Sequence, residues 1–241
     1  MNTNPTFRTA SLVPIVVALV WLMVLPSAWG QKTPKPTSEK APAKVRFRPP
    51  TQAAPSVRLT GGSRGSGDTR LELDVLAPDD VGLTTQPQPS LFWYQSRRAN
   101  AEFELTLLQE NEIRPTLQVF MDRPMEAGIH RLRLSDHGVT LAIGIEYQWV
   151  LALVHDPDNR SRDLVSSGVI KRIEPAAELK RELEQSPAGS QAAVYADAGI
   201  WYDALAALSD RIEASPEDRL LRDARVDLLR QVGLNAPVDQ P

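Results

Sequence analysis

Leu141-Ala142-Ile143-Gly144-Ile145-Glu146-Tyr147-Gln148-Trp149-Val150-Leu151-Ala152-Leu153 is the stretch on which the fold turns. Tyr147, Trp149, Leu151 and Leu153 stand two apart, so an extended chain would set all four on one face. The same alternation recurs on both sides. Leu71, Leu73 and Val75 alternate with Glu72 and Asp74, and Phe103, Leu105 and Leu107 with Glu102, Glu104 and Thr106. Leu91 to Tyr94 is an apolar run that follows Pro87 and Pro89, and Thr116 to Met121, Ile129 to Leu134 and Val165 to Ile173 complete the set. Seven short strands within 71–174, punctuated by proline and glycine, predict an antiparallel β-sandwich.

Leu141-x-x-Gly144-x-x-Tyr147 running into a strand resembles the tyrosine corner of fibronectin type III and related immunoglobulin-like domains. The resemblance implies that the Tyr147 ring packs while its hydroxyl turns back to upstream backbone. It also implies that Trp93 lies in the core on the second strand and that Phe103 to Leu107 form the third; Trp149, on the same face of its strand as Tyr147, is a further expected core aromatic. Fold likeness of this kind carries no ligand.

Beyond Glu174-Pro175 the apolar spacing becomes helical. A polar helix is expected from Pro175 to Glu184, and Ser186-Pro187 reads as the start of another. Ala192, Tyr195, Gly199, Trp201, Ala204 and Leu208, with Pro216 beyond, resemble one tetratricopeptide helix pair over 185–216, with Ala188 where a large aromatic is usual. Leu220 to Leu229 predict a third helix ending at Gly233. Tyr195 and Trp201 are the expected core aromatics. Tyr202 is about 100° away from Trp201 around the helix, which makes Tyr202 the candidate partner contact. One such unit cannot cover both its faces, so the sandwich or the extra helices must do so.

The first thirty residues read as an export signal. Arg8 precedes the uncharged run Leu12 to Leu25, and Ala28-Trp29-Gly30 offers small residues before Gln31. That run spans about 21 Å as a helix, short of the roughly 30 Å of a hydrocarbon core. Cleavage and a periplasmic or extracellular address are expected, with no transmembrane span left afterwards. From Gln31 to Arg70 nine basic residues face two acidic ones, a net +7; with Arg8, the whole chain's −3 leaves −11 for Leu71 to Pro241. This basic, Pro- and Gly-rich stretch is expected to be a disordered linker, as is a tail over 234–241. It could attract anionic cell-wall polymer.

Chemistry has little to work with. The chain has no cysteine, which excludes disulfides, thiolate nucleophiles and Cys-based metal sites, and it has three histidines, His130, His137 and His155. His137 has no recognisable nucleophile beside it. Asp156, Asp158, Asn159 and Asp163 could offer oxygens to Ca²⁺, but Asp-Pro and Asp-Asn are also turn vocabulary. Phe92-Trp93-Tyr94 could stack sugar, although a strand sends alternate members to opposite faces. The glycine cluster at 61–67 lacks the Gly-Lys-Ser/Thr ending of a phosphate loop. An acidic exported body argues against nucleic acid.

Phe47-Arg48-Pro49-Pro50, Pro89-Ser90-Leu91-Phe92-Trp93-Tyr94, Asp156-Pro157-Asp158-Asn159-Arg160-Ser161 and Gly199-Ile200-Trp201-Tyr202-Asp203-Ala204 together resemble a family of cyanobacterial envelope proteins, domain of unknown function 928. That resemblance implies a host type and no activity. Members often carry a cysteine just after the glycine cluster and another at the position of His155; this chain has neither, and packing alone must hold the sandwich. The expectation is an α+β protein: an immunoglobulin-like sandwich over 71–174 and a tetratricopeptide-like helical segment over 175–233. It would be a non-enzymatic docking or scaffolding module for an envelope protein, without metal or cofactor. A polysaccharide-binding module using the basic tail and exposed aromatics is the alternative, and an unrecognised hydrolase a third.

Overall fold

The alternation around Tyr147 forms β7 (Glu146–Val154), the middle strand of a five-stranded sheet. A computed structural model describes residues 44–50, 71–121 and 124–234. The stretch expected to be an export signal, most of the basic stretch expected to be a linker, and the last seven residues lie outside these. Among the described residues, β1 (Leu73–Val75), β3 (Ser90–Gln95) and β6 (Gly128–Arg133) make an antiparallel sheet in the order β1-β3-β6. β2 (Gly82–Thr84), β4 (Glu102–Gln109), β5 (Leu117–Met121) and β8 (Leu164–Arg172) join β7 in the order β2-β8-β7-β4-β5. Every pair is antiparallel except β2 with β8. Strand β2 was not expected: three residues starting with glycine carry no detectable alternation.

Phe103, Leu105, Leu107, Tyr147, Trp149, Leu151 and Ile170 turn inward from the large sheet, and Leu73, Val75, Leu91 and Trp93 are buried with them. A residue of this size contributes about 1.5–3 kcal/mol when fully buried. Val75 N–H donates to Ser166 Oγ at 2.9 Å and ties the two sheets at depth.

Helices follow as α1 (Ala177–Gln185), α2 (Gln191–Asp197), α3 (Trp201–Ala214) and α4 (Arg219–Arg230). The first starts two residues after Pro175, and Ser186-Pro187 leads into a 3-10 turn rather than directly into α2. Gly199 makes the corner between α2 and α3 at φ +76°, a left-handed conformation that suits glycine. α4 buries Leu221, Arg225, Leu228 and Leu229, the spacing of one helical face, and Asp218 caps it by accepting from Leu220 N–H at 2.9 Å. Sandwich and helices share one core.

Residues 44–50 correct the expectation of a linker running unbroken to residue 70. Val45 and Phe47 are buried, and the Phe47 ring meets Trp201 edge-on at 5.0 Å. The side-chain amide of Gln231 acts as a strand partner, its Oε1 accepting from Phe47 N–H at 2.8 Å and its Nε2 donating to Val45 carbonyl at 3.1 Å. Arg48 N–H donates to Ala196 carbonyl at 3.1 Å. A Cβ on Gly199 would stand 2.8 Å from the Arg48 carbonyl oxygen, so the strap needs the glycine as much as the corner does. Two alternate apolar residues and one amide suffice to pin an extended segment that composition assigns to disorder. Leu234 is buried too, so the expected C-terminal tail does not begin there.

Candidate functional site

The first turn of α3 is buried on every side, from Trp201 through Leu205. Trp201 Nε1 donates to Leu76 carbonyl at 2.9 Å. The Tyr202 hydroxyl accepts from Trp149 Nε1 at 2.9 Å and donates to Val169 carbonyl at 3.2 Å. Burial pushes that phenol far above its ordinary range. Gly82 lets the ring in: a Cβ there would lie 2.5 Å from Tyr202 Cε2. Tyr202 is therefore no surface contact, which corrects the expectation. Adjacent helix residues diverge, but here the helix end is wrapped by β2, β3 and α2 together, so both directions are interior.

Asp203 comes next and is also buried. Its carboxylate accepts from Thr84 Oγ1 at 2.5 Å, and from Thr85 N–H at 2.9 Å and Thr85 Oγ1 at 2.5 Å. Burial raises its pKa, and the threonine donors only partly offset this. Above this clamp a cleft of about 430 Å³ opens between the β2–β3 connection, β6 and the helices. Gln86, Gln88, Gln191, Tyr195, Arg131 and Asp210 line it, over a floor that includes Ala206 and Ala207. Arg131 donates through Nε to Ser90 Oγ at 2.8 Å and through Nη1 to Asp210, and it lies 5.2 Å from the Phe92 ring centroid. Arg211 Nη1 donates to Gly189 carbonyl at 2.7 Å. Tyr195, expected in the core, is only half-buried and forms one wall. Burial, then the Asp203 charge, hold its phenol above the ordinary value.

A second surface lies at the opposite edge of the five-stranded sheet. β5 (Leu-Gln-Val-Phe-Met) has no charge and no proline, and the cross-sheet row Phe120, Glu104, Ala152, Val165 runs along the outer face. Phe120 is 58% exposed, Val165 36%, and Ile113 at the β4–β5 turn 95%. Glu104 accepts from Gln118 Nε2 at 2.5 Å and Arg160 Nη2 at 2.7 Å. Burial opposes its ionisation, but those two bonds and the Arg160 charge hold its pKa below the ordinary value.

The sequence profile of the family Domain of Unknown Function (DUF928) matches residues 59–241. The chain belongs to that family. No curated protein matches it. The DUF928 match spans both sheets, the cleft and all four helices, and leaves the strap at 44–50 outside it.

Within this DUF928 chain the expected site residues separate widely. Tyr147 is buried at the head of β7; its hydroxyl accepts from Ala142 N–H at 3.2 Å and donates to Gln109 Oε1 at 3.3 Å. Trp93, Trp149 and Trp201 are buried, and Trp93 stacks on His130 at 5.5 Å. Phe92 and Tyr94 are buried as well, so the three-residue aromatic run offers no sugar platform. Both directions of β3 are covered, one by the sandwich core and the other by α3 or the Arg131 guanidinium. His137 is exposed at the end of a 3-10 turn. In the loop after β7, Asp156 Oδ1 accepts from Asp158 N–H at 3.0 Å, an Asx turn, and Asp163 is engaged by Arg160. Among the described residues no group of three or more His, Asp or Glu is placed to hold a metal ion. The cleft went unread because its amides come from two distant segments, Gln86 with Gln88 and Gln191, with no spacing to connect them. Its one local signal was Asp203, an acid following two aromatics at a helix start.

Proposed function

We propose that this chain is a non-enzymatic exported envelope protein whose sandwich docks a partner protein by strand addition at the edge of β5 that the described residues leave unpaired. The carrying observation is an edge strand with none of the usual guards: no lysine, no proline, and an exposed Phe120. Every second residue of such a strand directs its N–H and C=O away from its one neighbour, ready for an added strand. Glu102, Glu110 and Glu112 stand on β4 and its turn, in a body that carries −11 from Leu71 onward. The occupant that fits is an extended partner segment with alternating apolar residues and basic flanks.

We infer that the sandwich is fibronectin type III-like and the helical pair tetratricopeptide-like. The order β1-β3-β6 against β8-β7-β4-β5, with Tyr147 at the start of β7, supports a fibronectin type III-like sandwich. The glycine corner between α2 and α3 supports kinship with a tetratricopeptide pair, used as a cap on the sandwich instead of a peptide groove. The apolar run at Leu12 to Leu25 and the small residues before Gln31 support export, and the family resemblance supports a cyanobacterial envelope.

Co-purification from envelope extract tests the docking, with the full chain and its Phe120→Arg variant compared by quantitative mass spectrometry. A partner depleted in the variant is then narrowed to one peptide, which must bind the purified chain directly and more weakly as salt rises. A partner retained equally by Phe120→Arg would overturn the reading. So would light scattering that shows the edge already closed by a second copy of the chain.

A further inference from the structure

From the cleft between the sandwich and the helices we infer a second binding site, for a neutral saccharide. It is independent of the β5 edge, since the two surfaces lie at opposite ends of the five-stranded sheet.

Size comes first. About 430 Å³ lies within the range of small-molecule sites, roughly 300–1,000 Å³. Charge narrows the ligand class. Arg131 is answered by Asp210 and Glu213, Arg211 rests on the Gly189 carbonyl, and Asp203 is closed off by Thr84 and Thr85. The lining sets two guanidinium groups, Arg131 and Arg211, against two acids, Asp203 and Asp210, and so has strong local dipoles but no formal charge excess to select an anion or a cation. Gln86, Gln88 and Gln191 are what distinguish it. Each amide is at once donor and acceptor, and so is each hydroxyl of a sugar; neighbouring hydroxyls on a pyranose can thus be met two at a time. A phosphate would use only the donors, and an apolar ligand would strand the amides of Gln88 and Gln191, while the Gln86 side chain is already hydrogen-bonded to Asp203 and Tyr195.

The walls supply the rest. Tyr195 is half-buried, with its ring beside the cleft and its hydroxyl toward the Thr85 side, an amphipathic surface suited to the apolar C–H face of a sugar ring. Ala206 and Ala207 keep the floor shallow. Asp203 acts from beneath as a positioning residue: by gripping both Thr84 and Thr85 it fixes the segment from which Gln86 and Gln88 project. The sugar reading thus moves from the aromatic run at 92–94, which is buried, to a polar cleft built by the contact of sandwich and helices.

The test is calorimetric titration of the full chain with neutral tetrasaccharides of glucose, mannose and N-acetylglucosamine, and with sulfated dextran as the anionic arm. At least one neutral tetrasaccharide is expected to bind. Gln88→Ala and Gln191→Ala should each weaken it about tenfold, the loss of one or two hydrogen bonds. Ala207→Trp should abolish it, and Phe120→Arg should leave it unchanged. The proposal is overturned if no neutral tetrasaccharide binds at millimolar concentration. It is equally overturned if the double variant Gln88→Ala/Gln191→Ala binds as well as the parent chain, or if only sulfated dextran binds.

Discussion

The five-stranded sheet ends in two edges that are treated in opposite ways. At β2 the edge is sealed: α3 lies against it, Asp203 grips Thr84 and Thr85, and Tyr202 fits where Gly82 leaves room. At β5 nothing among the described residues covers the strand, and Phe120 stands in solvent. Each edge has a buried carboxylate beside it, and the two behave differently. Asp203 is met by neutral donors, and burial prevails. Glu104 is met by a guanidinium as well as an amide, and ionisation prevails. A carboxylate ringed by hydroxyls joins structure to structure, whereas one answered by a half-exposed arginine keeps an open face in water.

The widest gap between the edges should be seen in stability. Asp203→Ala leaves Thr84 and Thr85 without their acceptor, including a backbone N–H that cannot be turned elsewhere. A loss of about 3 kcal/mol is expected from urea unfolding. Asp203→Asn, whose Oδ1 can still accept from Thr85 N–H while its Nδ2 donates to Thr84 Oγ1, should lose no more than about 1 kcal/mol. Equal losses for the two would mean that the clamp does not depend on hydrogen bonding.

The sealed side extends to the strap. Phe47→Ala removes a buried ring from Trp201 and should cost about 3 kcal/mol if the site cannot collapse. Gly199→Ala meets both a left-handed φ and the Arg48 carbonyl, and should cost at least about 1 kcal/mol. Trp201 fluorescence should report both changes at once. On the open side Arg160→Ala should cost less than about 1 kcal/mol, since Arg160 is half exposed. A loss there as large as that of Asp203→Ala would erase the contrast.

How much of this was legible depended on range. Strands β1 and β4 to β8 declare themselves because alternation is local, β3 because a compact apolar run after two prolines is local too, and the glycine corner at 199 because a left-handed residue is chosen by its own backbone. Strand β2 could not be read: Gly82-Leu83-Thr84 becomes a strand only by lying parallel to Ile170-Lys171-Arg172 far along the chain. The strap failed for the same reason, since nothing near Val45 announces Gln231. Tyr202 failed on geometry: the rule that neighbours on a helix diverge assumes one exposed side, and the first turn of α3 has none. The cleft amides are invisible until the segment at Gln86 and Gln88 meets the helix at Gln191.

The smallest effect separates the two carboxylates most cleanly, because it predicts opposite signs. Asp203 has a raised folded-state pKa, so its contribution is complete below its ordinary value of 3.8 and is lost as pH rises through the raised one. Glu104 has a lowered pKa, so its contribution is present above its ordinary 4.5 and is lost as pH falls through the lowered one. Relative to the parent chain, Asp203→Asn should therefore gain stability as pH climbs above 3.8, while Glu104→Gln should lose it as pH climbs toward 4.5 and change no further above that. Denaturant midpoints at a series of pH values measure both differences, and subtraction of the parent curve removes every other titrating group. Slopes of the same sign would mean that the cation beside Glu104 does not decide its charge. The open face would then rest, like the sealed one, on neutral hydrogen bonds alone.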